Sequence, residues 1–218
     1  MATKKIPLTK DQIVSMYMNY SLEHNEKPKS VFHFTKVNGF TEAEFYTFFG
    51  TLESIEKEIF NIFFDKTIAL IQVDNYEEYT MKNKLLTFYF TFFELITANR
   101  SYVLMSLKQH QNQLKDLMIL SQFRNKFKDY ISEIITDDFR IKIEKLQQYQ
   151  EKVLTESFWI QFLLTLKFWM EDSSPSFEKT DIYIEKSVKV SFELIDITPI
   201  DSLIDFGKFL FKEKINSK

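Results

Sequence analysis

Apolar side chains recur at helical spacing along most of the chain, and this pattern predicts an all-α protein. The clearest example lies at residues 85–96, where apolar and aromatic side chains follow intervals of three and four residues and form one stripe. A segment at residues 152–170 is apolar on nearly all sides apart from a line of Ser157, Gln161 and Thr165. A helix of that kind is buried on more than one side, so we expect it to contact both its own core and a partner subunit.

Capping and turn residues divide the first part of the chain into short helices. The predicted N-caps of the first four helices are Thr9, Ser30, Thr41 and Thr51. Gly39 supplies the turn between the second and third helices, and Gly50 is predicted to end the third helix in the left-handed conformation that glycine tolerates. Val37 and Phe48 lie on the apolar sides of the second and third helices, so we expect both side chains to point inward.

The composition removes several classes of function. Gly occurs 3 times and Pro 4 times, which suits a helical protein, and the sequence has no glycine-rich phosphate loop. Because the chain has no cysteine, it has no disulfide, no thiolate metal site and no cysteine nucleophile. His24, His33 and His110 are scattered and lack metal-ligand spacing. We therefore expect no enzymatic activity, no metal and no cofactor.

The net charge, the N-terminal segment and the length of the apolar runs indicate which partners and which location the protein has. The net charge of −3 argues against strong non-specific binding to nucleic acid, which depends on neutralising phosphates. The N-terminus lacks the apolar segment of a signal peptide, and the longest apolar runs are too short or too polar to span a bilayer. The sequence therefore predicts a soluble cytoplasmic protein.

The stretch Gly39-Phe40-Thr41-Glu42-Ala43-Glu44-Phe45-Tyr46-Thr47-Phe48-Phe49-Gly50-Thr51-Leu52-Glu53 carries a family resemblance. It is similar to the recognition-helix region of the TetR family of transcriptional regulators. Positions 39, 46, 49, 50 and 53 coincide with the family pattern, and threonines at 41 and 51 replace serines. The resemblance covers residues 13–60 or so, and the rest of the chain matches in length and helicity.

Four positions depart from the family pattern. Glu42 stands in place of a lysine, Glu44 of a threonine, Phe48 of a histidine and Leu52 of a lysine. Residues 1–60 contain seven lysines, no arginine and eight acidic residues, so their formal charge is −1. A glutamate on a recognition helix accepts a hydrogen bond from cytosine N4, or else it serves the helix N-terminus. For Glu44 we favour the second role, because it has the spacing of a capping-box partner of Thr41.

The resemblance implies a homodimer that binds a palindromic operator on double-stranded DNA as a repressor, with a head at residues 1–50, a bridging helix at 51–71, and a ligand-binding and dimerisation domain at 72–218. The candidate DNA-contact residues are Lys29, Ser30, Lys36, Thr41, Glu42, Glu44, Tyr46, Thr47 and Lys57. For Tyr46 the alternative is an ordinary surface tyrosine, and for the lysines it is an ordinary solvated side chain. A second functional hypothesis is a TetR-shaped module that binds a ligand or a protein partner and has lost operator binding.

The resemblance also implies a small-molecule effector bound by the body. The chain has 24 Phe, and an aromatic-rich, uncharged interior suits an apolar effector. The candidate ligand-binding residues are Phe88, Tyr89, Phe92, Phe93, Tyr102, Met105, Phe123 and Phe127. The alternative is that these side chains form plain core, because a helical stripe of phenylalanines has to be buried in any case.

We expect the subunit interface to be a four-helix bundle made by residues 152–170 and 176–195 of each protomer. The candidate interface residues are Phe158, Phe162, Leu166, Trp169, Ile184, Val188 and Ile195.

Overall fold

A computed structural model of the chain describes residues 7–73, 75–107, 118–135 and 144–197, with the backbone alone described at 144–150 and 195–197. This part of the chain is helical and contains no β-strand. The α-helices are α1 (Lys10–His24), α2 (Val31–Asn38), α3 (Glu42–Tyr46), α4 (Leu52–Ile71), α5 (Met81–Thr97), α6 (Arg100–Leu107), α7 (Ser121–Ile134), α8 (Glu144–Glu171) and α9 (Glu178–Ile197). Short 3-10 turns lie at Tyr76–Glu78 and Pro175–Phe177. The all-α prediction is confirmed, and no described helix is long and apolar enough to cross a membrane.

The first three helices form a small head whose caps are those that the sequence predicts. Thr9 and Thr41 each complete a capping box, and Ser30 and Thr51 accept hydrogen bonds from backbone amides at the starts of α2 and α4. The head encloses the ring of Phe34. These caps satisfy amide groups that would otherwise lack a partner, which is why such short helices form at all.

Two predictions about the end of α3 are wrong. The helix ends at Tyr46, and Gly50 is not in the left-handed conformation. The reason is that the amides of Phe48 and Phe49 both donate to the carbonyl of Phe45, so the chain turns onward without a left-handed residue. Phe48 consequently points outward and is 38% exposed.

The bridging helix α4 and the body share one aromatic core. α4 packs against α5 and α7, α9 packs against α5 and α8, and α7 packs against α8. The head is attached to this body where α1 contacts α4 and α6. The head and the body are therefore connected along α4 and through a second contact at α6.

The helix α8 is longer than the sequence suggests. The apolar pattern indicates a helix at 152–170, but the backbone is helical without a break from Glu144 to Glu171. The residues just before and at the expected start, Gln150, Glu151 and Lys152, are good helix formers, so nothing local interrupts the helix there.

The connection from α8 to α9 is fixed by a buried carboxylate. Asp172 accepts hydrogen bonds from the backbone amides and the hydroxyl groups of Ser174 and Thr180, at 2.7–2.9 Å. Burial alone would raise the pKa of Asp172. The four hydrogen bonds lower this pKa by more than burial raises it and hold it at about 2. The guanidinium of Arg100 donates to the carbonyl of Asp172 at 3.0 Å and lies over the ring of Trp169. These contacts set the direction in which α9 leaves α8.

Candidate functional site

The geometry of the head is that of two short helices joined by a tight turn. Gly39 has a φ of 75° and is the left-handed residue between α2 and α3. The amide of Phe40 donates to the carbonyl of Thr35 at 3.1 Å and closes the turn. The rings of Phe34 and Phe45 meet edge to face at 6.2 Å, which fixes α3 against α2. As a result, the side chain of Tyr46 is 55% exposed on the outer side of the head.

Most polar groups on α3 are engaged within the helix itself. The carboxylate of Glu44 accepts from the amide of Thr41 at 2.7 Å and from its hydroxyl at 2.9 Å, which is the capping role expected for this residue. Thr47 donates its hydroxyl to the carbonyl of Ala43 at 3.0 Å. Glu42 and Tyr46 are exposed and carry the outward-facing polar atoms of α3.

The candidate cations lie around α2 and on α4. Lys29 and Lys36 are exposed and Lys57 is half-buried, and the described residues provide no ion pair for any of the three. The ammonium of Lys36 lies 5.7 Å from the centre of the Phe32 ring. Ser30 uses its hydroxyl to cap α2, where it accepts from the amide of His33 at 3.1 Å. Within the described residues, two lysines of the head and one of α4 therefore remain available for an anionic partner.

The outer surface of the head also carries large apolar side chains, which the sequence did not predict. Phe32 and Val37 on α2 are 60% and 56% exposed, and Phe48 is exposed after α3. The expectation that Val37 and Phe48 point inward is therefore wrong. On a two-turn helix such as α2, the inward direction is set by the neighbouring α1 and α3, and the apolar pattern alone does not define it.

A buried polar contact fixes the head to the bridging helix. The carboxylate of Glu56 on α4 is 6% exposed and accepts a hydrogen bond from the hydroxyl of Tyr17 on α1. The ammonium of Lys27, between α1 and α2, lies 2.7 Å from the same carboxylate. Burial and the adjacent carboxylate raise the pKa of Tyr17 well above its ordinary value, so its hydroxyl stays protonated. The three groups satisfy one another inside the protein.

The predicted ligand-binding aromatics lie together in the protomer core. Phe88, Tyr89, Phe92 and Phe93 on α5, with Tyr102, Phe123 and Phe127, are each at most 3% exposed, and Met105 is partly buried. The ring of Phe123 lies 5.1 Å from that of Phe92 and 4.9 Å from that of Phe162. These rings fill the space between the helices, as the plain-core alternative requires, and a ligand among them stays a prediction that needs the rings to separate.

The predicted interface residues need correction. Phe158, Phe162, Leu166, Trp169, Ile184 and Val188 are at most 4% exposed within one protomer, and Ile195 lies outside the described side chains. Their side chains pack against α5, α7 or the facing helix of the same chain, so they offer no surface to a second subunit. The reason is that Gln161 and Thr165 of the polar line face inward, whereas Ser157 is exposed. Gln161 accepts from the hydroxyl of Tyr89 and donates to Ser187 at 2.9 Å.

The outward faces of α8 and α9 carry a different set of apolar residues. Successive members are separated by four, seven or eight residues along each helix, and each is at least 49% exposed. They are Val153, Ile160 and Leu164 on α8, and Ile182, Val190 and Leu194 on α9. We call this set the α8–α9 face. Apolar surface of this extent is typical of a protein interface.

The comparisons with known proteins add one finding. The family model described as "Tetracyclin repressor-like, C-terminal domain" matches residues 84–210, which is more than half of the chain. The matched range contains α6 to α9 and most of α5, and it does not include the head. A search of curated proteins and a search of solved structures found no match to this chain.

Proposed function

The chain belongs to the tetracyclin repressor-like (TetR) family, and from this premise we propose that it is a dimeric transcriptional repressor. Its head binds a palindromic operator, and its body binds a small-molecule effector that weakens that binding. The observation that supports operator binding best is the arrangement of α2 and α3 around Gly39, with Tyr46 exposed at the outer side of the head. This is the geometry with which a helix-turn-helix places its second helix in the major groove.

Each head offers few charges to DNA. Lys29 and Lys36 of the head and Lys57 of α4 have no ion-pair partner among the described residues, which gives three ammonium groups per protomer and six per dimer. If all six neutralise phosphates, the logarithm of the binding constant falls with the logarithm of the salt concentration with a slope of about −5. Glu42 then meets a base edge, where a carboxylate accepts a hydrogen bond from cytosine N4. The proposed operator is thus bound with modest electrostatic affinity and has cytosine at a defined position of each half-site.

The proposed dimer forms through the α8–α9 face. Two copies related by a two-fold axis would bury Ile160 and Leu164 of each α8 against the other subunit and make a four-helix bundle. The same helices were expected from the sequence to form the interface, but the contact residues are now those of their outward faces. The arrangement also separates the two heads by a fixed distance, which a palindromic operator requires.

A second candidate function is favoured by the surface of the head. Phe32, Val37 and Phe48 are exposed there, and Glu42 lies at the start of α3. Exposed aromatic and aliphatic side chains are more typical of a protein-binding surface than of a DNA-binding one. In this alternative the chain keeps the TetR shape, binds a ligand or a protein partner, and has lost its operator.

Selection from a random-sequence DNA pool, followed by binding measurements over a series of salt concentrations, distinguishes the two functions. We expect the full chain to enrich a palindrome. Tyr46→Ala should weaken binding to it about ten-fold by removing a contact to the DNA. Tyr79→Ala is the matched control, because Tyr79 is an exposed tyrosine outside the head and its loss should leave affinity unchanged. If no sequence is enriched even at low salt, operator binding is excluded and the second function is supported.

A further inference from the structure

A cleft opens at the surface of the body between α4, the turn Tyr76–Glu78, the start of α5 and α7. Its volume is about 320 Å³, which is at the lower end of the range for small-molecule sites. We call it the α4–α7 cleft. None of the aromatic residues that the sequence indicated lines it, but Phe64 and Tyr130 of its lining both contact the ring of Phe88 in that core.

One wall of the α4–α7 cleft is apolar. It is formed by Phe64, Ile68 and Ile71, which lie four and three residues apart on α4, and Ile134 of α7 lines the cleft as well. Ile68 is half-buried and the other three side chains are buried, so the wall is held in place by the core behind it. Contact between this wall and an apolar group of a ligand removes apolar surface from water and so favours binding.

The floor of the cleft is polar but uncharged. The hydroxyl groups of Tyr76 and Tyr130 lie 2.7 Å apart, and Tyr130 also lies 3.0 Å from the backbone carbonyl of Lys84, to which it donates. Burial raises the pKa of both tyrosines, so neither hydroxyl contributes a negative charge. The floor therefore offers hydrogen-bonding oxygen atoms at the bottom of the cleft.

The charges that line the cleft do not balance. Lys84 pairs with Glu77 at 2.8 Å, and Lys126 pairs with Asp65 at 2.6 Å, so both ammonium groups are neutralised. Asp129 and Glu133 also line the cleft, on the exposed side of α7. Neither has a cationic partner within the described part of the chain. With two cations and four carboxylates, the lining carries a net charge of −2.

The α4–α7 cleft has one apolar wall and one acidic wall. We therefore propose that it binds a small organic cation with an apolar tail. The ammonium group of the ligand lies between Asp129 and Glu133, and its tail lies along Phe64 and Ile68. An anionic ligand meets two unpaired carboxylates and is disfavoured by the same charges. A bare metal ion does not fit, because no described group of acidic and histidine side chains converges to hold one. This inference rests on the proposed effector function and gives that effector a position and a charge.

Calorimetric titration of the full chain with three ligands of equal length tests the charge preference. The ligands are 4-phenylbutylamine, 4-phenylbutanol and 4-phenylbutyrate, which are cationic, neutral and anionic at neutral pH. We expect the amine to bind about five- to ten-fold more tightly than the alcohol, since two partly solvated ion pairs contribute on that scale, and the acid to bind most weakly. High salt should reduce the advantage of the amine and leave the alcohol unaffected. If the acid binds as well as the amine, the proposal is wrong.

Two variants locate the site. Asp129→Asn with Glu133→Gln removes both unpaired carboxylates at exposed positions, so the fold should be unaffected. We expect this pair to lower the affinity for the amine to that of the alcohol. Glu23→Gln with Glu26→Gln changes the net charge of the chain equally at exposed positions of the head and should leave all three affinities unchanged.

Each remaining outcome also decides the question. Equal loss of amine binding in both pairs of variants would show a general charge effect and overturn the site. Retention of the preference in Asp129→Asn with Glu133→Gln would do the same. The titrations contain no DNA, so their failure would overturn the cleft proposal without affecting the operator proposal. A failed selection would overturn operator binding without affecting the cleft proposal.

Discussion

Gly39 is the residue on which the angle between α2 and α3 depends. Its φ of 75° lies in the region that other residues enter only at a cost, whereas Gly50 does not have a positive φ. No atom lies within 4 Å of the position that a Cβ would take at either glycine. The two positions therefore differ in backbone conformation and not in space, which makes them a matched pair.

Gly39→Ala should destabilise the protein by about 1–2 kcal/mol, because alanine pays the cost of the left-handed conformation. Gly50→Ala should change stability by less than about 0.5 kcal/mol or raise it slightly, since the unfolded chain loses freedom without strain in the folded one. Urea denaturation followed by circular dichroism measures both. Equal losses in the two variants would mean that the conformation at Gly39 is not the cause.

At this scale the sequence predicts caps well and the direction of single side chains poorly. The capping roles predicted for Thr9 and Thr41 are confirmed, because a capping box is a local contact between residues three apart. The inward direction predicted for Val37 and Phe48 is wrong. The direction of Val37 depends on how α1 and α3 pack against α2, and that of Phe48 depends on the end of α3, which is decided by backbone hydrogen bonds from Phe48 and Phe49 to Phe45. No residue type in the sequence marks those bonds.

At the scale of whole helices, the start of α9 depends on the carboxylate of Asp172. Its pKa, about 2, is below the ordinary value, so the charged form stabilises the fold. That stabilisation is complete above the unfolded pKa near 4 and is lost as the pH falls through 2, and it amounts to about 2 kcal/mol. An asparagine at this position keeps one acceptor oxygen and turns an amide group towards donors.

Asp172→Asn should therefore lower the free energy of unfolding by about 2 kcal/mol at neutral pH. The difference between the variant and the original chain should shrink as the pH falls from 4 to 2, because protonation removes the same charge from the original. Urea titrations at several pH values measure this difference. Glu171→Gln, at the exposed neighbouring residue, should show no such trend. A difference that is constant with pH would exclude the charge as its cause.

The helix α8 shows why the orientation of a helix face is harder to predict from sequence than the presence of the helix. The sequence indicates that α8 is apolar on more than one side, but it does not show which way the polar line faces. In the structure Gln161 and Thr165 are buried, because Gln161 joins Tyr89 to Ser187 and Thr165 donates to the carbonyl of Gln161. Leu164 is left outside. A polar residue that finds a partner inside is not distinguishable by type from one that is solvated.

At the scale of the whole molecule, the proposed dimer depends on the α8–α9 face. Leu164 is 52% exposed in the C-terminal half of α8, on the face where two copies would meet. Leu164→Glu should raise the dissociation constant of the dimer about thirty-fold or more, because it places a charge in an apolar contact. Multi-angle light scattering over a range of concentrations measures this. Leu70→Glu, at an equally exposed leucine of α4, is the control and should leave the dimer intact.

A dimer that survives Leu164→Glu would place the subunit contact elsewhere on the molecule. Phe162→Asp is not a suitable test, since the ring of Phe162 is fully buried and its loss would unfold the protomer.

The bridging helix α4 has a mechanical consequence. It carries Glu56, which fixes the head, and Phe64 and Ile68, which line the cleft, on one unbroken helix. Glu56 and Phe64 are separated by roughly 12 Å of helix. Because an α-helix is stiff over that length, a ligand bound beside Phe64 in the proposed site would turn the head as a rigid body instead of deforming it. In a dimer that rotation would change the distance between the two Tyr46 side chains. Occupancy of the cleft would therefore decide whether that distance matches the spacing of the two half-sites of the operator.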